Sequence, residues 1–287
     1  MKEVIDKARI LIEALPYIKE FRRRTFVVKI GGAALDDLEL RQRFAEDVVL
    51  LTWVGINVVV VHGGGKQISG MLSRLGLEPA FVNGVRVTDE PTLEVAEMVL
   101  GGSLNKELVR LVGSLGGSAV GLTGKDGGLV KARRLENHPD LGLVGQIVSV
   151  DRSVIDHLHP DFIPIVAPLA TGERGETLNV NADPFAAGVA AALGAEKLVM
   201  LTDVSGVAGE DGALIPSLTA ERARDLIERG VISGGMIPKV EHALAALGAG
   251  VRKVHIIDGR LEHALLLEIF TRAGVGTQVV GAEAEQQ

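Results

Sequence analysis

The chain has 287 residues, enough for one large or two modest domains with a sizeable core, so a peptide or a disulfide-held miniprotein is excluded. Its net charge of −7 argues against a general nucleic-acid binder, and the absence of cysteine excludes disulfides, thiolate zinc sites and cysteine nucleophiles. No apolar run approaches the roughly 18–20 residues that cross a bilayer, and the first residues lack the features of a signal peptide, so we expect no membrane association and a cytoplasmic protein.

The first predicted element is an amphipathic helix over residues 4–21, where apolar side chains recur at helical spacing. Pro16 is expected to kink or break this helix, because proline removes a backbone donor. Amphipathicity leaves two roles open: the helix packs on its own domain, or it packs on another subunit. We assign residues 1–24 to this N-terminal extension.

Strands and helices alternate from Phe26 onward. The β-branched runs Phe26–Ile30 and Asn57–Val61 end in glycine, and helical stretches follow at Asp37–Thr52 and Gln67–Leu75. Further strands are predicted at 119–122, 142–150, 163–166, 197–201 and 254–257, and further helices at 91–113, 153–158, 182–193, 220–229, 237–249 and 262–270. This alternation predicts an α/β fold, a three-layer αβα sandwich around a mainly parallel central sheet.

The gly- and charge-rich segment Thr171–Thr177 is the best candidate for a junction between two halves. We expect two lobes, residues 25–172 and 173–287, that share one continuous sheet.

Two glycine-rich turns follow predicted strands, where ligands bind in parallel α/β sheets. Lys29 precedes Gly31 and Gly32, and the run Gly63, Gly64, Gly65 leads into a helix. Glycine lets an anion approach backbone N–H groups, and a helix N-terminus favours negative charge. Both turns are therefore candidate anion cradles, although tight-turn geometry alone also explains glycine after a strand. Neither matches the Walker A loop or the G-x-G-x-x-G fingerprint.

A polar string, Asn179, Asn181 and Asp183, precedes a helix of small residues. Alternate spacing places the three side chains on one face of an extended segment, where they could position lysines and a polar substrate. The alternative is that Asp183 is the N-cap of that helix.

Other charged candidates lie in loops. Lys239 lies near a helix start, an unfavourable place for a cation that a bound phosphate would offset. Arg86 follows a turn and suits a carboxylate, or it forms a surface salt bridge. His62 is expected to hydrogen-bond beside the glycine turn. No histidine pair has the H-E-x-x-H spacing, so no dedicated metal site is predicted.

Several motifs together resemble one family over nearly the whole chain, from about Val4 to Val280. They are VVKIGG, VVVVHGGGKQIS, NGVRVTD, LNVNADPFAAG, LTDVSGV and SGGMIPKV, in the order found in the amino acid kinase superfamily. Within it, the chain most closely resembles the N-acetylglutamate kinases.

The resemblance implies ATP-dependent phosphorylation of the γ-carboxylate of N-acetyl-L-glutamate, the second step of arginine biosynthesis. The N-terminal lobe would hold the acetylated amino acid and the C-terminal lobe would hold ATP. Lys29 and Lys239 fall on the two transition-state lysines, and Asp183 falls on the residue that organises them. The substrate-binding positions are Gly64, Gly65, Arg86 and Asn179, and the backbone amides of Gly31, Gly32 and Gly63 would face phosphate.

A carboxylate acceptor is ionised at neutral pH, so the implied reaction requires no general base. Catalysis then consists of positioning two anions and neutralising the charge of the transition state. Mg²⁺ is expected to arrive with ATP, held mainly by phosphate oxygens.

The family contains arginine-insensitive dimers and arginine-inhibited hexamers built as trimers of dimers. The N-terminal helix with Tyr17 resembles the extension of the second type, and the segment containing His255, Glu268 and Gly274 resembles its arginine site. These features imply feedback inhibition by L-arginine in a homohexamer. Gly209 and Glu210, however, stand where many arginine-sensitive relatives have a lysine that contacts the effector.

Rival functions remain open. Kinases of the same superfamily act on aspartate, glutamate, carbamate or UMP. A non-catalytic arginine or nucleotide sensor would keep the fold, and its function would survive loss of Lys29 or Lys239. The PII nitrogen-signalling protein binds some enzymes of this type, and the sequence does not decide whether it binds this one.

Overall fold

The structure is a computed structural model that describes residues 2–135, 141–271 and 274–281. Its α-helices are α1 (Lys2–Phe21), α2 (Ala33–Asp36), α3 (Leu38–Trp53), α4 (Gly65–Arg74), α5 (Glu90–Glu97), α6 (Asn105–Ser114), α7 (Ser153–Leu158), α8 (Ala182–Leu193), α9 (Ala220–Glu228), α10 (Met236–Gly248) and α11 (Ala264–Phe270). A π-helix, Met98–Leu104, joins α5 to α6, and a short 3₁₀ helix covers Asp126–Gly128.

The strands are β1 (Thr25–Ile30), β2 (Asn57–His62), β3 (Phe81–Val82), β4 (Val85–Arg86), β5 (Ala119–Thr123), β6 (Val130–Arg134), β7 (Gly145–Val150), β8 (Ile163–Ala167), β9 (Leu169–Gly172), β10 (Thr177–Asn179), β11 (Lys197–Thr202), β12 (Ser217–Thr219), β13 (Lys253–Asp258) and β14 (Thr277–Val280).

Eight strands form the central sheet, in the order β12-β14-β13-β11-β1-β2-β8-β5. The strand pairs are parallel except β13–β14, which is antiparallel. A second, four-stranded sheet has the order β10-β9-β6-β7, and β3 and β4 form a hairpin. The predicted α/β class with a mainly parallel central sheet is confirmed.

Alternate residues of the central strands face two separate cores. Val28 and Val60 pack with the α3 residue Phe44 on one side, while Val27 and Val59 pack with the α8 residue Phe185 on the other. Helices thus cover both faces of the sheet, which is why β1 and β2 are almost continuously apolar. No helix in the described ranges combines the length and the apolar character that a membrane crossing requires.

Two helix predictions differ from the structure. α1 continues through Pro16, so the predicted break does not occur there. The N–H that Pro16 lacks would have bonded the carbonyl of Ile12, a residue on the exposed side of α1. The single helix predicted over 91–113 is divided by the π-helix, whose Gly101 lies close to Thr123 of β5.

Several short strands were not predicted: β3, β4, β6, β9, β10, β12 and β14 are each between two and five residues long. The predicted strand over 142–150 begins only at Gly145, and Gly142, with a positive φ of 71°, forms an isolated β-bridge with Thr88. The segment Thr171–Thr177 comprises the end of β9, the turn 173–176 and the first residue of the antiparallel strand β10.

The carboxyl ends of β1, β2 and β11 lie side by side at one edge of the central sheet, because these strands are parallel neighbours. Each is followed by residues singled out by the sequence: Gly31 after β1, Gly63 after β2 and the LTDVSGV motif at the end of β11. This edge holds the candidate site.

Candidate active site

Two lysines and a carboxylate from three distant segments meet at this edge. Lys29 Nζ lies 2.9 Å from Asp183 Oδ1, and Lys239 Nζ lies 3.1 Å from Asp183 Oδ2. Lys29 comes from β1, Asp183 from the first turn of α8, and Lys239 from the first turn of α10. The carboxylate therefore holds two ammonium groups apart and in place.

The environment of Asp183 keeps it ionised. Burial on its own raises the pKa of this carboxyl, but the ammonium groups of Lys29 and Lys239 outweigh burial and lower the pKa to about 2. Asp183 is thus a carboxylate at every pH at which an enzyme of this kind works. Asp183 also supplies negative charge beside Lys239 at the start of α10. From the sequence, a bound phosphate was the expected source of that charge.

The prediction that Asn179, Asn181 and Asp183 lie on one extended segment was wrong at the C-terminal end of that segment. Asn179 closes β10, but Asn181 is the N-cap of α8 and accepts the N–H of Asp183 at 2.9 Å. The N-cap alternative for Asp183 was wrong as well. Asn181 takes that role, and Asp183, inside the first turn of α8, directs its carboxylate to the two lysines.

A cavity of about 390 Å³ opens on the other side of the lysines, lined by Lys29, Lys239 and the turn after β1. Gly32 has φ 57° and ψ −142°, a conformation that glycine alone adopts readily. Asp203 Oδ1 accepts the N–H of Ala33 at 2.7 Å, and a Cβ on Gly32 would lie 2.3 Å from the same oxygen.

The LTDVSGV motif was identified in the sequence, but no role was assigned to its Asp203. The available signal was its position directly after the strand predicted at 197–201. Its place beside the glycine turn that follows Lys29 depends on the parallel pairing of β11 with β1, which the sequence does not show.

The second glycine turn lines a separate cavity of about 210 Å³ together with Arg86, Leu100 and Asn179. Asn179 Nδ2 donates to Thr88 Oγ1 at 3.2 Å. The predicted residues Gly63, Gly64, Gly65, Arg86 and Asn179 are thus brought to one cavity.

Arg86 is buried, so the surface salt bridge considered for it was wrong. Its Nη2 donates to Gly65 O at 2.7 Å and to Ser69 Oγ at 2.9 Å, and the guanidinium lies 4.6 Å from the centre of the Phe81 ring. Its Nη1 is buried with no hydrogen-bond partner in the described part of the chain. Burial lowers the pKa of Arg86, yet a guanidinium stays charged, so this cavity is lined by a cation that has no carboxylate partner among the described residues.

Three of the four residues proposed for an effector site lie together in the interior of the fold. His255 Nδ1 lies 2.6 Å from Glu268 Oε1, while Glu268 Oε2 accepts the N–H groups of Val275 at 2.6 Å and Gly276 at 3.1 Å. Gly274 passes close to the same carboxylate, since a Cβ there would lie 2.8 Å from Glu268 Oε2.

Tyr17 reaches this cluster only indirectly. Its ring stacks on Phe21 at 6.5 Å, and Lys197 Nζ lies 4.9 Å from the centre of the Phe21 ring. Lys197 Nζ is also 3.2 Å from His255 Nε2. Gly209 and Glu210, where the resemblance suggested a missing lysine, lie elsewhere on the surface, and Glu210 forms an ion pair with Arg229. The lysine beside His255 is Lys197, from the start of β11.

Comparison with known proteins identifies a family, similar curated proteins and similar solved structures. The model of the amino acid kinase family matches residues 24–258. The acetylglutamate kinase of Aquifex aeolicus is 52% identical over 97% of this chain and 99% of its own length, and that of Acinetobacter baumannii is 53% identical over 96% and 95%.

Among solved structures, N-acetylglutamate synthase from Neisseria gonorrhoeae, in complex with coenzyme A and N-acetyl-glutamate, superposes with a TM-score of 0.85 at 31% identity. The similarity covers 95% of this chain but 63% of the synthase. A second structure of that synthase, with coenzyme A and L-arginine, gives a TM-score of 0.81 at 29% identity.

Proposed function

The chain belongs to the amino acid kinase family, within which it groups with the acetylglutamate kinases, and from this premise we propose that it transfers the γ-phosphoryl group of ATP to the γ-carboxylate of N-acetyl-L-glutamate. The observation that carries the assignment is the Lys29–Asp183–Lys239 arrangement at the carboxyl edge of the sheet, close to both cavities. The product, an acyl phosphate, serves arginine biosynthesis, and we place the reaction in the cytoplasm.

The acceptor occupies the smaller cavity. Its α-carboxylate pairs with the guanidinium of Arg86, and its γ-carboxylate meets the backbone amides of Gly64 and Gly65. Asn179 supports the acetamido end. The region 25–172 supplies most of this cavity, in agreement with the proposed acceptor lobe, and 173–287 supplies the nucleotide lobe.

ATP lies with its phosphates in the larger cavity, against the turn Gly31–Gly32 and the lysines. The amides of this turn and of Gly63 donate to phosphate oxygens. Two anions are thereby brought into line, and Lys29 and Lys239 stabilise the charge that spreads over the transferred group. Asp183 positions the two lysines and takes no proton, because the attacking carboxylate has none to give.

Mg²⁺ fits this site as a partner of ATP. In the described residues no group of three or more His, Asp or Glu side chains is arranged to hold a metal ion. Asp203, the carboxylate at this cavity, already accepts the Ala33 N–H. The metal would be held mainly by phosphate oxygens and water, and would supply further neutralisation of phosphate charge.

An assay of ADP release with N-acetyl-L-glutamate, L-glutamate and L-aspartate as acceptors tests the proposal. Turnover restricted to the acetylated substrate supports it. Turnover on another acceptor, or on none, overturns it. A non-catalytic arginine or nucleotide sensor is the competing function, and its function would survive Lys29→Ala and Lys239→Ala.

Removing the Arg86 guanidinium is expected to weaken acceptor binding. A hydrogen bond to a charged group contributes about 1.5–3 kcal/mol, so Arg86→Leu should raise the KM for N-acetyl-L-glutamate about 10- to 100-fold and leave the KM for ATP unchanged. Arg110→Leu, on the exposed side of α6, is the matched control. An Arg86→Leu enzyme with the acceptor KM of the wild type would remove Arg86 from the substrate site.

We further propose that L-arginine inhibits the enzyme by binding at the cluster of His255, Glu268 and Gly274, next to α1. Burial lowers the pKa of His255 to about 4, so its ring is neutral and the charges of the cluster are those of Lys197 and Glu268. An arginine guanidinium is chemically suited to Glu268, the buried acceptor of this cluster. The complex of the similar synthase with L-arginine supports this choice of effector.

The assembly implied is a homohexamer of three dimers linked through α1. The last turn of α1 is buried on its own subunit at Phe21, whereas Ile10, Leu11 and Ile12 are more than three-fifths exposed at 64%, 73% and 68%. This exposed apolar stretch supports packing against a second copy. PII remains a further candidate partner.

Loss of the Glu268 carboxylate is expected to abolish arginine inhibition. Glu268→Ala should raise the half-inhibitory concentration of L-arginine at least about tenfold, because it removes a charge-assisted contact. Glu262→Ala, exposed just before α11, serves as control. A Glu268→Ala enzyme with full arginine sensitivity would contradict the site.

A further inference from the structure

The second glycine turn is held from behind by a buried polar pair that no catalytic role uses. His62 ends β2, and its Nδ1 lies 2.8 Å from Gly63 O. His62 Nε2 lies 3.2 Å from Nδ2 of Asn105, the first residue of α6. Both side chains are completely buried.

The hydrogen-bond partners determine the state of the ring. A carbonyl oxygen can only accept, so Nδ1 of His62 carries the proton, and the amide of Asn105 donates to the bare Nε2. Burial lowers the pKa of His62 to about 4, which keeps the ring neutral around neutral pH, while the partners of its two nitrogens set the tautomer.

Asn105 is itself fastened to the central sheet. Its Nδ2 lies 2.9 Å from Ile165 O in β8 and 3.3 Å from Leu122 O in β5, so these two carbonyls and His62 Nε2 share the two N–H groups of one amide. Gly121 of β5 leaves room for it, since a Cβ there would lie 1.9 Å from Asn105 Oδ1. The side chains of His62 and Asn105 thus connect β5, β8, the start of α6 and the second glycine turn.

The π-helix also contacts the second glycine turn. A Cβ on Gly64 would lie 2.5 Å from Leu100 Cδ2 and 2.9 Å from Leu104 Cδ2, so the two leucines pack directly on the Gly64 backbone. Both leucines belong to the π-helix that leads into Asn105. Its irregular backbone therefore places two apolar contacts and one polar contact on the same turn.

We infer that His62 and Asn105 are positioning residues for the acceptor: by holding the carbonyl of Gly63, they aim the N–H of Gly64 into the acceptor cavity. A trans peptide directs its C=O and its N–H to opposite sides, so an anchored Gly63 carbonyl turned toward the ring leaves the Gly64 N–H directed away from it. The Gly63 N–H is also anchored, to Ile30 O at 2.8 Å. This inference rests on the proposed function, in which the Gly64 amide meets the γ-carboxylate.

Two substitutions of His62 separate the halves of the contact. Asparagine can place an N–H near the position of Nδ1 and keep the bond to Gly63 O, whereas glutamine reaches toward Asn105 and loses that bond. We expect His62→Gln to reduce kcat/KM for N-acetyl-L-glutamate about 10- to 100-fold, the effect of misdirecting one hydrogen bond to a charged group. His62→Asn should reduce kcat/KM distinctly less. The KM for ATP should not change in either, and His157→Gln, on the exposed side of α7, is the control.

Thermal unfolding of each variant accompanies the kinetics. A larger catalytic defect in His62→Gln at similar unfolding midpoints supports positioning. Equal defects in both variants, no defect in either, or a rise in the ATP KM of the same size would overturn it.

The tautomer of His62 in the wild-type protein provides a test that needs no variant. In a ¹⁵N-histidine spectrum with His62 assigned through its backbone, Nδ1 should carry the proton and the ring should not titrate near neutral pH. An Nε2–H tautomer or a neutral-range titration would overturn the inference even if the wild type has no kinase activity. If the wild type is active and only the order of the His62 variants fails, the positioning role falls while the proposed function stands.

Discussion

Replacing Asp183 with asparagine is expected to lower kcat at least about a hundredfold, because two lysines lose the charge that holds them. Asparagine has the shape of aspartate but offers an N–H on one side, which repels whichever ammonium group it faces. Lys29 is nine-tenths buried and has its carboxylate partner 2.9 Å away. Leaving a buried cation unpaired is costly, so the thermal midpoint should also fall.

The ADP-release assay and thermal unfolding measure both effects. Asp225→Asn provides the matched control, because Asp225 is an exposed carboxylate of α9 paired with Arg229 at 3.2 Å. An exposed pair contributes between 0 and about 1 kcal/mol, so this control should keep its rate and nearly its midpoint. If Asp183→Asn keeps kcat within a few-fold of the wild type, Asp183 does not organise the lysines.

The second large effect is expected from Gly32→Ala. The new Cβ would lie 2.3 Å from Asp203 Oδ1, on a backbone with a positive φ of 57°, so either the turn or Asp203 must move. Because the turn faces the phosphate cavity, kcat/KM for ATP should fall at least about a hundredfold, the loss typical of a displaced transition-state donor.

Gly230→Ala separates backbone strain from displacement. Gly230 has φ 73°, but a Cβ there would meet nothing within 4 Å. Its substitution should lower stability by about 1 kcal/mol and leave the kinetics unchanged. Equal kinetic losses in the two variants would show that strain, and not the contact with Asp203, explains the effect.

The order of elements and the residues after each strand were predictable because they depend on local patterns. β-branched runs, the glycines that follow them and the helical periodicity placed Lys29 and the two glycine turns at one edge of the sheet. The capping of α8 was misread, because Asn181 and Asp183 are both of residue types that suit an N-cap.

Contacts between distant segments could not be predicted from local sequence patterns. Asp203 bonds the N–H of Ala33 across 170 residues, and Lys197 meets His255 across 58. The sequence spacing around Asp203 and Lys197 does not indicate either contact, because both contacts depend on the order of strands in the sheet. The division of the long helix by the π-helix was equally hidden, because its helical periodicity continues through Gly101 and Gly102.

The place of β1 at the middle of the sheet has a mechanical consequence. β1 pairs with β2 on one side and with β11 on the other, and Lys29 is in register with Val61 and Met200. Lys29 is therefore carried by the strand that both flanks of the sheet share, whereas Lys239 is carried by α10, which packs on β13 and β14 of one flank. The distance between the two ammonium groups is thus set jointly by the central strand and by the flank that contains β11, β13 and β14.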